Sequence, residues 1–400
     1  MRDNAFPLAT SSWDEKEYAA IDRVVKSGFF SMGKEVVAFE TLFGEQIGAP
    51  YAVMSNSGSS ANLLFVAALR YHSRHRLAPG DEVIVPAVSW STTYYPLYQY
   101  GLRLKFVDID PGTLNFDLDR LEDAIGERTR AILAVNLLGN PNDFDRIAAI
   151  IGDRDILLLE DNCESLGATF NGRQAGTFGL AGSYSAFFSH HISTMEGGVT
   201  VTHDEELAHI MLSLRAHGWT RNLPNPNHVT GVKGDDPFEE AFRFVLPGYN
   251  LRPLEMSGAI GIEQMAKLPM IVENRRKNAA LFKQVMEDFP QIRTQRETGE
   301  SSWFGFSMVL EPDCGLSRKD LVACFDRHGI EARPIVAGNF AKNEVVTRYM
   351  DHEIHGGLPN AELADTHGLF IGNHHYPLDK PMEQLHLALT QAFSRNSAGD

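Results

Sequence analysis

Residues 131–165 read AILAVNLLGNPNDFDRIAAIIGDRDILLLEDNCES. Two short apolar runs, Ala131–Asn136 and Ile156–Glu160, enclose a helix-period stretch from Asp143 to Ile151. An uninterrupted apolar run suits a strand buried on both faces, and a helix between two such strands makes the crossover of a parallel pair. The same alternation extends outward. Glu82–Pro86 (EVIVP) and Leu104–Asp108 (LKFVD) precede it as strands and Ser60–Arg70 as a helix. Ser183–Phe188 and Gly198–Thr202 follow as strands. The pattern predicts an α/β fold whose core is a doubly wound, mostly parallel sheet of about seven strands. Sheets of this kind bind ligands at the carboxyl ends of their strands. Ser89-Trp90, Asn136 and Glu160-Asp161 all stand at such ends, so one sheet edge would gather them.

Residues 1–252 are expected to form this large domain. A helical segment over 253–284 follows, with Met256, Ile260, Ile262, Met265, Leu268 and Ile271 apolar. Pro269 lies inside it and is expected to kink or break it. Residues 285–400 then carry a strand at Phe304–Leu310 and helices at Ser317–His328 and near Met382–Ser394, which predicts a smaller α+β domain. The Pro/Gly/Asn-rich segment Asn222–Asp236 lacks periodicity and reads as a long surface loop.

Composition narrows the function. Lys+Arg 36 against Asp+Glu 52 leaves a net charge of −16, unsuited to general binding of nucleic acid or anionic membrane. An anionic ligand must be held locally, by backbone N–H groups and a few placed Arg or His. Three cysteines, Cys163, Cys314 and Cys324, suit a reducing cytoplasm, and none is paired at CxxC spacing. Met1-Arg2-Asp3-Asn4 leads into no apolar signal region, and no apolar stretch is long enough to span a bilayer. A cytoplasmic protein is the expectation.

Several polar clusters could carry chemistry. Ser55–Asn62 (SNSGSSAN) precedes an apolar helix; it reads as an ordinary N-cap or as an anion site at the helix start. Glu160–Glu164 (EDNCE) ends a buried strand, where a carboxylate either caps the next segment or faces a ligand. In Gly182–Gly198 a strand runs into His190-His191 and then a glycine pair. Adjacent histidines rarely converge on one ion and no third ligand is nearby, so no metal is expected; acid–base work is the other reading. Arg215–Arg221 (RAHGWTR) can hold a carboxylate or phosphate, or be a solvated helix end. Leu246–Pro253 reads as a structural turn.

Taken in order, these pieces resemble the sugar aminotransferase family of pyridoxal-phosphate enzymes, of fold-type I. The resemblance covers nearly the whole chain. It rests on the GS turn, the Trp after a strand, the ED pair, S-x4-[K/H]-x5-EGG (Ser185, His190, Glu196-Gly197-Gly198), R-x-H-G (Arg215–Gly218) and G-x-N-x-R (Gly248–Arg252). The family's usual lysine, which bonds the cofactor covalently, falls at His190. Imidazole has no primary amine for that bond. A histidine-bearing branch of the family, the sugar-nucleotide 3-dehydratases, shares long stretches with this chain, among them VPAVSWSTTYYPL, VNLLGNPN, LLEDNCES, SHHISTMEGG and PGYNLRPLEMSGAIGIEQ. A neighbouring branch uses an iron–sulfur cluster, held by about four thiolates. Three scattered cysteines therefore point to the cluster-free type.

The resemblance implies pyridoxal phosphate and pyridoxamine phosphate as cofactor forms. Gly58, Ser59 and Ser185 would hold the phosphate, joined by Asn250 from the second copy of a homodimer. Trp90 would stack on the ring, Asp161 would pair with the ring nitrogen, and Glu164 would sit near the ring hydroxyl. His217, Arg221 and Arg252 are candidates for binding L-glutamate carboxylates or the sugar nucleotide. The implied reaction is C3 deoxygenation of GDP-4-keto-6-deoxymannose, as used for colitose-type sugars of O-antigen polysaccharide. Glutamate would supply the amine and leave as 2-oxoglutarate, ammonia would be released, and His190 would be the base. His191 takes the role if the loop shifts by one residue. Two other readings stand beside this one. The chain could be a perosamine-type 4-aminotransferase, or a catalytically inactive relative that binds or regulates.

Overall fold

The structure, a computed structural model, describes residues 6–396, so Met1–Asn4 lies outside the described residues. In chain order the strands are β1 (Tyr51–Ser55), β2 (Glu82–Pro86), β3 (Arg103–Val107), β4 (Thr129–Val135), β5 (Leu157–Asp161), β6 (Thr169–Phe170), β7 (Arg173–Gln174), β8 (Ala181–Ser185), β9 (Gly198–Thr202), β10 (Ile292–Thr294), β11 (Gly305–Leu310), β12 (Ala332–Arg333), β13 (His352–Ile354) and β14 (Gly368–Gly372). The first nine helices are α1 (Glu15–Ser27), α2 (Lys34–Ile47), α3 (Gly58–Leu69), α4 (Ser91–Gln99), α5 (Leu118–Ala124), α6 (Phe144–Ile151), α7 (Glu205–Arg215), α8 (Pro237–Glu240) and α9 (Glu255–Met286).

The main sheet has the order β1-β9-β8-β5-β4-β2-β3-β13. Pairings from β13 across to β8 are parallel, and β9 is antiparallel to both β8 and β1. Every strand but β9 therefore points one way, and their carboxyl ends share one edge. Alternation along each strand sorts the core into two layers. Val83, Val85, Ala131, Leu133 and Leu159 pack on one side with α3, α4 and α7. Ile84, Ile132 and Ala134 pack on the other with α5 and α6. This two-sided burial is why the strands read as continuous apolar runs. A second sheet, of order β10-β11-β14-β12, is antiparallel throughout and packs against the helices Arg318–Arg327 and Asp379–Asn396.

The α/β, doubly wound architecture is as expected, with three differences. The sheet has an eighth strand, because β13 returns from the C-terminal part of the chain and pairs with β3. The N-terminal residues cross the other way: Phe6 bridges to Ile330, beside β12. The chain is thus not divided cleanly at 252 and 285. Finally, Pro269 does not break α9, which runs unbroken for 32 residues. Proline removes one ladder donor. That loss is local, while Met265, Leu268 and Val272 around it are buried in one cluster with Tyr184, Val199 and Val201 of β8 and β9.

Candidate active site

The carboxyl edge of the sheet opens into a cavity of about 340 Å³, floored by the ends of β4, β5 and β8 and closed on one side by β12 and Phe370 of the smaller sheet. Gly58, Ser59, Trp90, Asp161, Glu164, Ser185 and His190 all line it. They come from four separate stretches of chain, gathered because parallel strands end together.

The first wall is the turn between β1 and α3. Ser57 is the N-cap of α3, its Oγ accepting from the Ser60 N–H at 3.1 Å. The exposed first-turn N–H groups and the helix dipole make an anion cradle. Gly58 is required there. A Cβ on it would lie 2.6 Å from Ser185 Cβ and 3.0 Å from Ser185 Oγ, so only glycine lets the two strand ends meet over the cradle. Gly198 is required for the same reason, since its Cβ would lie 2.1 Å from the Ser57 carbonyl oxygen. The Ser59 hydroxyl shares a 2.8 Å hydrogen bond with Thr92.

Asp161 closes β5 and is 5% exposed. Its Oδ2 accepts from Asn62 Nδ2 at 2.8 Å and from Thr93 Oγ1 at 2.7 Å, and its Oδ1 from the Cys163 N–H at 3.1 Å. All three donors are neutral. A buried carboxylate held only by neutral donors is a ready partner for a cationic group of a ligand. Trp90, 57% exposed, stands at the N-cap of α4 on the cavity rim. Glu164 Oε2 accepts from the Leu138 N–H at 3.0 Å. Burial pushes its carboxyl up to about 7, against the pull of that N–H and of Arg333.

His190 sits in the turn between β8 and β9, its backbone N–H bonded to the Phe187 carbonyl. Its ring packs on Phe304, with centroids 5.0 Å apart. Nδ1 is buried without a partner, which leaves Nε2 as the nitrogen able to meet a ligand. Burial, then the charges of Arg333 and Arg275, push the imidazole down to about 3. It is therefore neutral at neutral pH, with one ring nitrogen unprotonated. His191 turns away, buried, with Nε2 3.0 Å from the Ser302 carbonyl oxygen. The two rings thus diverge.

The remaining predicted residues do not line this cavity. His217, Arg221, Asn250 and Arg252 form a separate surface cluster around Trp219. Arg221 stands 4.8 Å and Arg252 5.8 Å from the Trp219 ring, and His217 lies against it at 4.8 Å. Arg252 Nε donates to Asn250 Oδ1 at 3.0 Å. They cluster because the backbone at 215–221 pairs with that at 244–251, through Ala216 with Asn250 and Trp219 with Phe244. The Asn222–Asp236 loop packs on α7, through His228 against His209 and Glu205, and contributes nothing to the lining.

Several lining residues escaped sequence reasoning, and Arg333 is the charged one that matters most among them. Among the described residues Arg333, on β12, is the only lysine or arginine of the lining. Its guanidinium stacks 4.5 Å from the Phe370 ring and has no hydrogen bond or ion pair among the described residues. No local signal marks it, because it reaches the cavity from the other sheet. Among the described residues no lysine lines the cavity. Among the described residues no three His, Cys, Asp or Glu side chains gather to hold a metal. Cys163 lies at the cavity, while Cys314 and Cys324 belong to the core of the smaller sheet.

Comparison with known proteins agrees with this geometry. The DegT/DnrJ/EryC1/StrS aminotransferase family profile matches residues 11–381. The GDP-4-keto-6-deoxy-D-mannose 3-dehydratase of Escherichia coli O55:H7 is 60% identical over 380 residues, 95% of this chain and 98% of that protein. A solved GDP-4-keto-6-deoxymannose-3-dehydratase with a trapped PLP-glutamate geminal diamine superposes with a TM-score of 0.95, at 60% identity over 96% of this chain and all of that one. A mutant of that enzyme with bound GDP-perosamine gives the same TM-score, identity and coverage.

Proposed function

The chain belongs to the DegT/DnrJ/EryC1/StrS aminotransferase family, and on that basis we propose that it is a GDP-4-keto-6-deoxymannose 3-dehydratase working with pyridoxal and pyridoxamine phosphate. The observation that carries this reading is a cavity with a cofactor cradle and a neutral histidine but no lysine. The residues present fit the cofactor. The Ser57–Ser59 turn and Ser185 suit a phosphate, Asp161 a protonated ring nitrogen, Trp90 a ring face, and Glu164 the ring hydroxyl. When bound, the cofactor supplies the amine that joins the C4 ketone and a ring that accepts an electron pair.

The protein's own residues do the rest. Asp161 keeps the ring nitrogen protonated. His190, neutral, takes a proton from the carbon bearing the amine and can return one to the C3 hydroxyl as it leaves. Arg333 offers the cavity a guanidinium with no ion pair among the described residues, suited to a carboxylate of L-glutamate. Phe187 and Phe304 pack against the histidine ring and shield it from water. In the net reaction C3 loses its oxygen and takes hydrogen, and glutamate is oxidised to 2-oxoglutarate with release of ammonia. That balances atoms and electrons.

The cluster of His217, Arg221, Asn250 and Arg252 is our second element. It carries the exposed aromatics Phe242 and Phe244. We read this face as the meeting surface of a homodimer, with Asn250 and the two arginines of one copy serving the phosphate and sugar nucleotide of the other. The expected site of action is the cytoplasm; among the described residues no helix is long and apolar enough to cross a membrane.

The test mixes the protein with pyridoxal phosphate, glutamate and GDP-4-keto-6-deoxymannose, and measures ammonia against 2-oxoglutarate. One-for-one release is the expected result. 2-Oxoglutarate without ammonia would mean that nitrogen stays on the sugar and that the chain is an aminotransferase.

A further inference from the structure

Among the described residues the His190 side chain makes no hydrogen bond that could aim it: Nδ1 is unpartnered and the ring packs on Phe304 and Phe187. Its position therefore depends on the backbone of the turn. That turn contains Met195 at φ 69, a left-handed conformation that a residue with a side chain holds only when its surroundings impose it. The far half is fixed from within: the Thr194 N–H bonds to the Ala186 carbonyl at 2.9 Å, and the Ala186 N–H to the Gly197 carbonyl at 2.9 Å. The half carrying His190 is held by the His190 N–H bonded to the Phe187 carbonyl at 2.9 Å, by His191 Nε2 3.0 Å from the Ser302 carbonyl oxygen, and, where it meets the far half, from outside at Ser193. The Ser193 N–H donates to Gln264 Oε1 at 3.0 Å, and Trp13 Nε1 donates to the Ser193 carbonyl at 2.9 Å.

Both clamps belong to one network. Gln264, on α9, is 0% exposed. Its Oε1 also accepts from Ser12 Oγ at 2.7 Å, and its Nε2 donates to the buried Glu17 at 2.7 Å. Lys267 neutralises Glu17 at 2.7 Å. The same N-terminal strap, followed back from Trp13, is tied to the opposite cavity wall. His374 lies 3.0 Å from Thr10 Oγ1 and bonds the Pro7 carbonyl at 2.8 Å. The Leu8 N–H donates to Glu331 Oε2 at 2.8 Å, and Phe6 exchanges backbone bonds with Gly329 and Glu331, two residues from Arg333. One strap thus spans both the histidine wall and the arginine wall.

We propose that the strap Phe6–Asp14 is a positioning device for His190, acting through Trp13 and Gln264 on the Ser193 peptide. Neither residue touches the cavity, so neither is catalytic. The proposal rests on the reading of His190 as the base. A displacement of about 1 Å between reacting groups costs on the order of a hundredfold in rate. Trp13→Phe deletes the indole donor and keeps the ring; Gln264→Met deletes the second clamp by independent means.

The assay measures kcat, the KM for the sugar nucleotide, cofactor absorbance and Tm in each variant. It then repeats Trp13→Phe in a His190→Asn background. We expect kcat to fall about 10- to 100-fold, with KM and cofactor binding within about twofold of wild type. We also expect no further loss when Trp13→Phe is added to His190→Asn, because the positioned group is already gone. Native kcat in both single variants would overturn the proposal. So would a loss of kcat accompanied by equal losses of cofactor binding and Tm, or an undiminished loss in the His190→Asn background. His190→Asn run alone separates the two questions: native turnover there refutes the base, not the strap.

Discussion

Asp161→Asn tests the cofactor reading at its most buried point. The substitution keeps size and removes the charge. In the native site Oδ2 takes two donors, Asn62 and Thr93, and Oδ1 takes one, the Cys163 N–H. An asparagine will turn its oxygen to the pair, leaving its NH2 facing the Cys163 N–H. One buried donor then loses its acceptor, at about 1–3 kcal/mol. The larger effect falls on the bound state. Removing one member of a buried, hydrogen-bonded ion pair costs about 3–5 kcal/mol, here charged against the protonated ring nitrogen. Taking about 3 kcal/mol as the lower bound, the cofactor Kd should rise at least about 100-fold. The assay titrates apoprotein with pyridoxal phosphate by absorbance and follows the Tm of the apoprotein in parallel. In the apoprotein the carboxylate has only neutral donors, so losing its charge offsets part of the lost hydrogen bond. The apo Tm should move little while the Tm gain on cofactor binding disappears. A Kd within threefold of wild type would refute the pairing of Asp161 with the ring.

Three further outcomes are expected. His190→Asn should keep cofactor binding and lower turnover by about 10²–10⁴-fold, while His191→Asn should lose about 1 kcal/mol of stability with its Ser302 bond and keep most turnover; the reverse pattern in steady-state rates would transfer the role to His191. Arg333→Gln should raise the KM for glutamate about 10- to 100-fold, the worth of a charge-assisted bond of about 1.5–3 kcal/mol, and an unchanged KM would remove it from glutamate binding. Glu164, raised by burial from 4.5 to about 7, binds a proton in the folded apoprotein that the unfolded chain releases near 4.5. Its contribution to stability is complete below that pH and is lost as pH rises to about 7. Glu164→Gln mimics the protonated form, so denaturant titrations across pH should show the variant gaining on wild type from about 4.5 to about 7 and level above; a flat difference would refute the shift.

The strands of the main sheet were legible because their signal is local. EVIVP, AILAVN and ILLLE each carry an unbroken apolar run since parallel strands are covered on both faces, and each falls within a residue or two of its observed position. β13 was not legible: His352-Glu353-Ile354 is a short, half-polar edge strand whose partner β3 lies some 250 residues away. The break expected at Pro269 does not occur, since the cost of a proline is local and the burial that outweighs it is tertiary.

The site divides along the same line. Trp90 and Asp161 stand at strand ends, so order along the chain and the rule that parallel strands end together were enough to bring them to one edge; Gly58, Ser59, Glu164, Ser185 and His190 were named through the resemblance to the family's motifs, and all seven line the cavity. The cluster from His217 to Arg252 was expected at ligands, yet within one chain the backbone at 215–221 and 244–251 folds it onto Trp219. Only the tertiary structure decided that Arg333 is the cation of the cavity, that His190 and not His191 faces it, and that Trp13 and Gln264 hold the turn between them. These depend on contacts between segments 70 to 180 residues or more apart, which no periodicity encodes because their geometry exists only once the two sheets have packed.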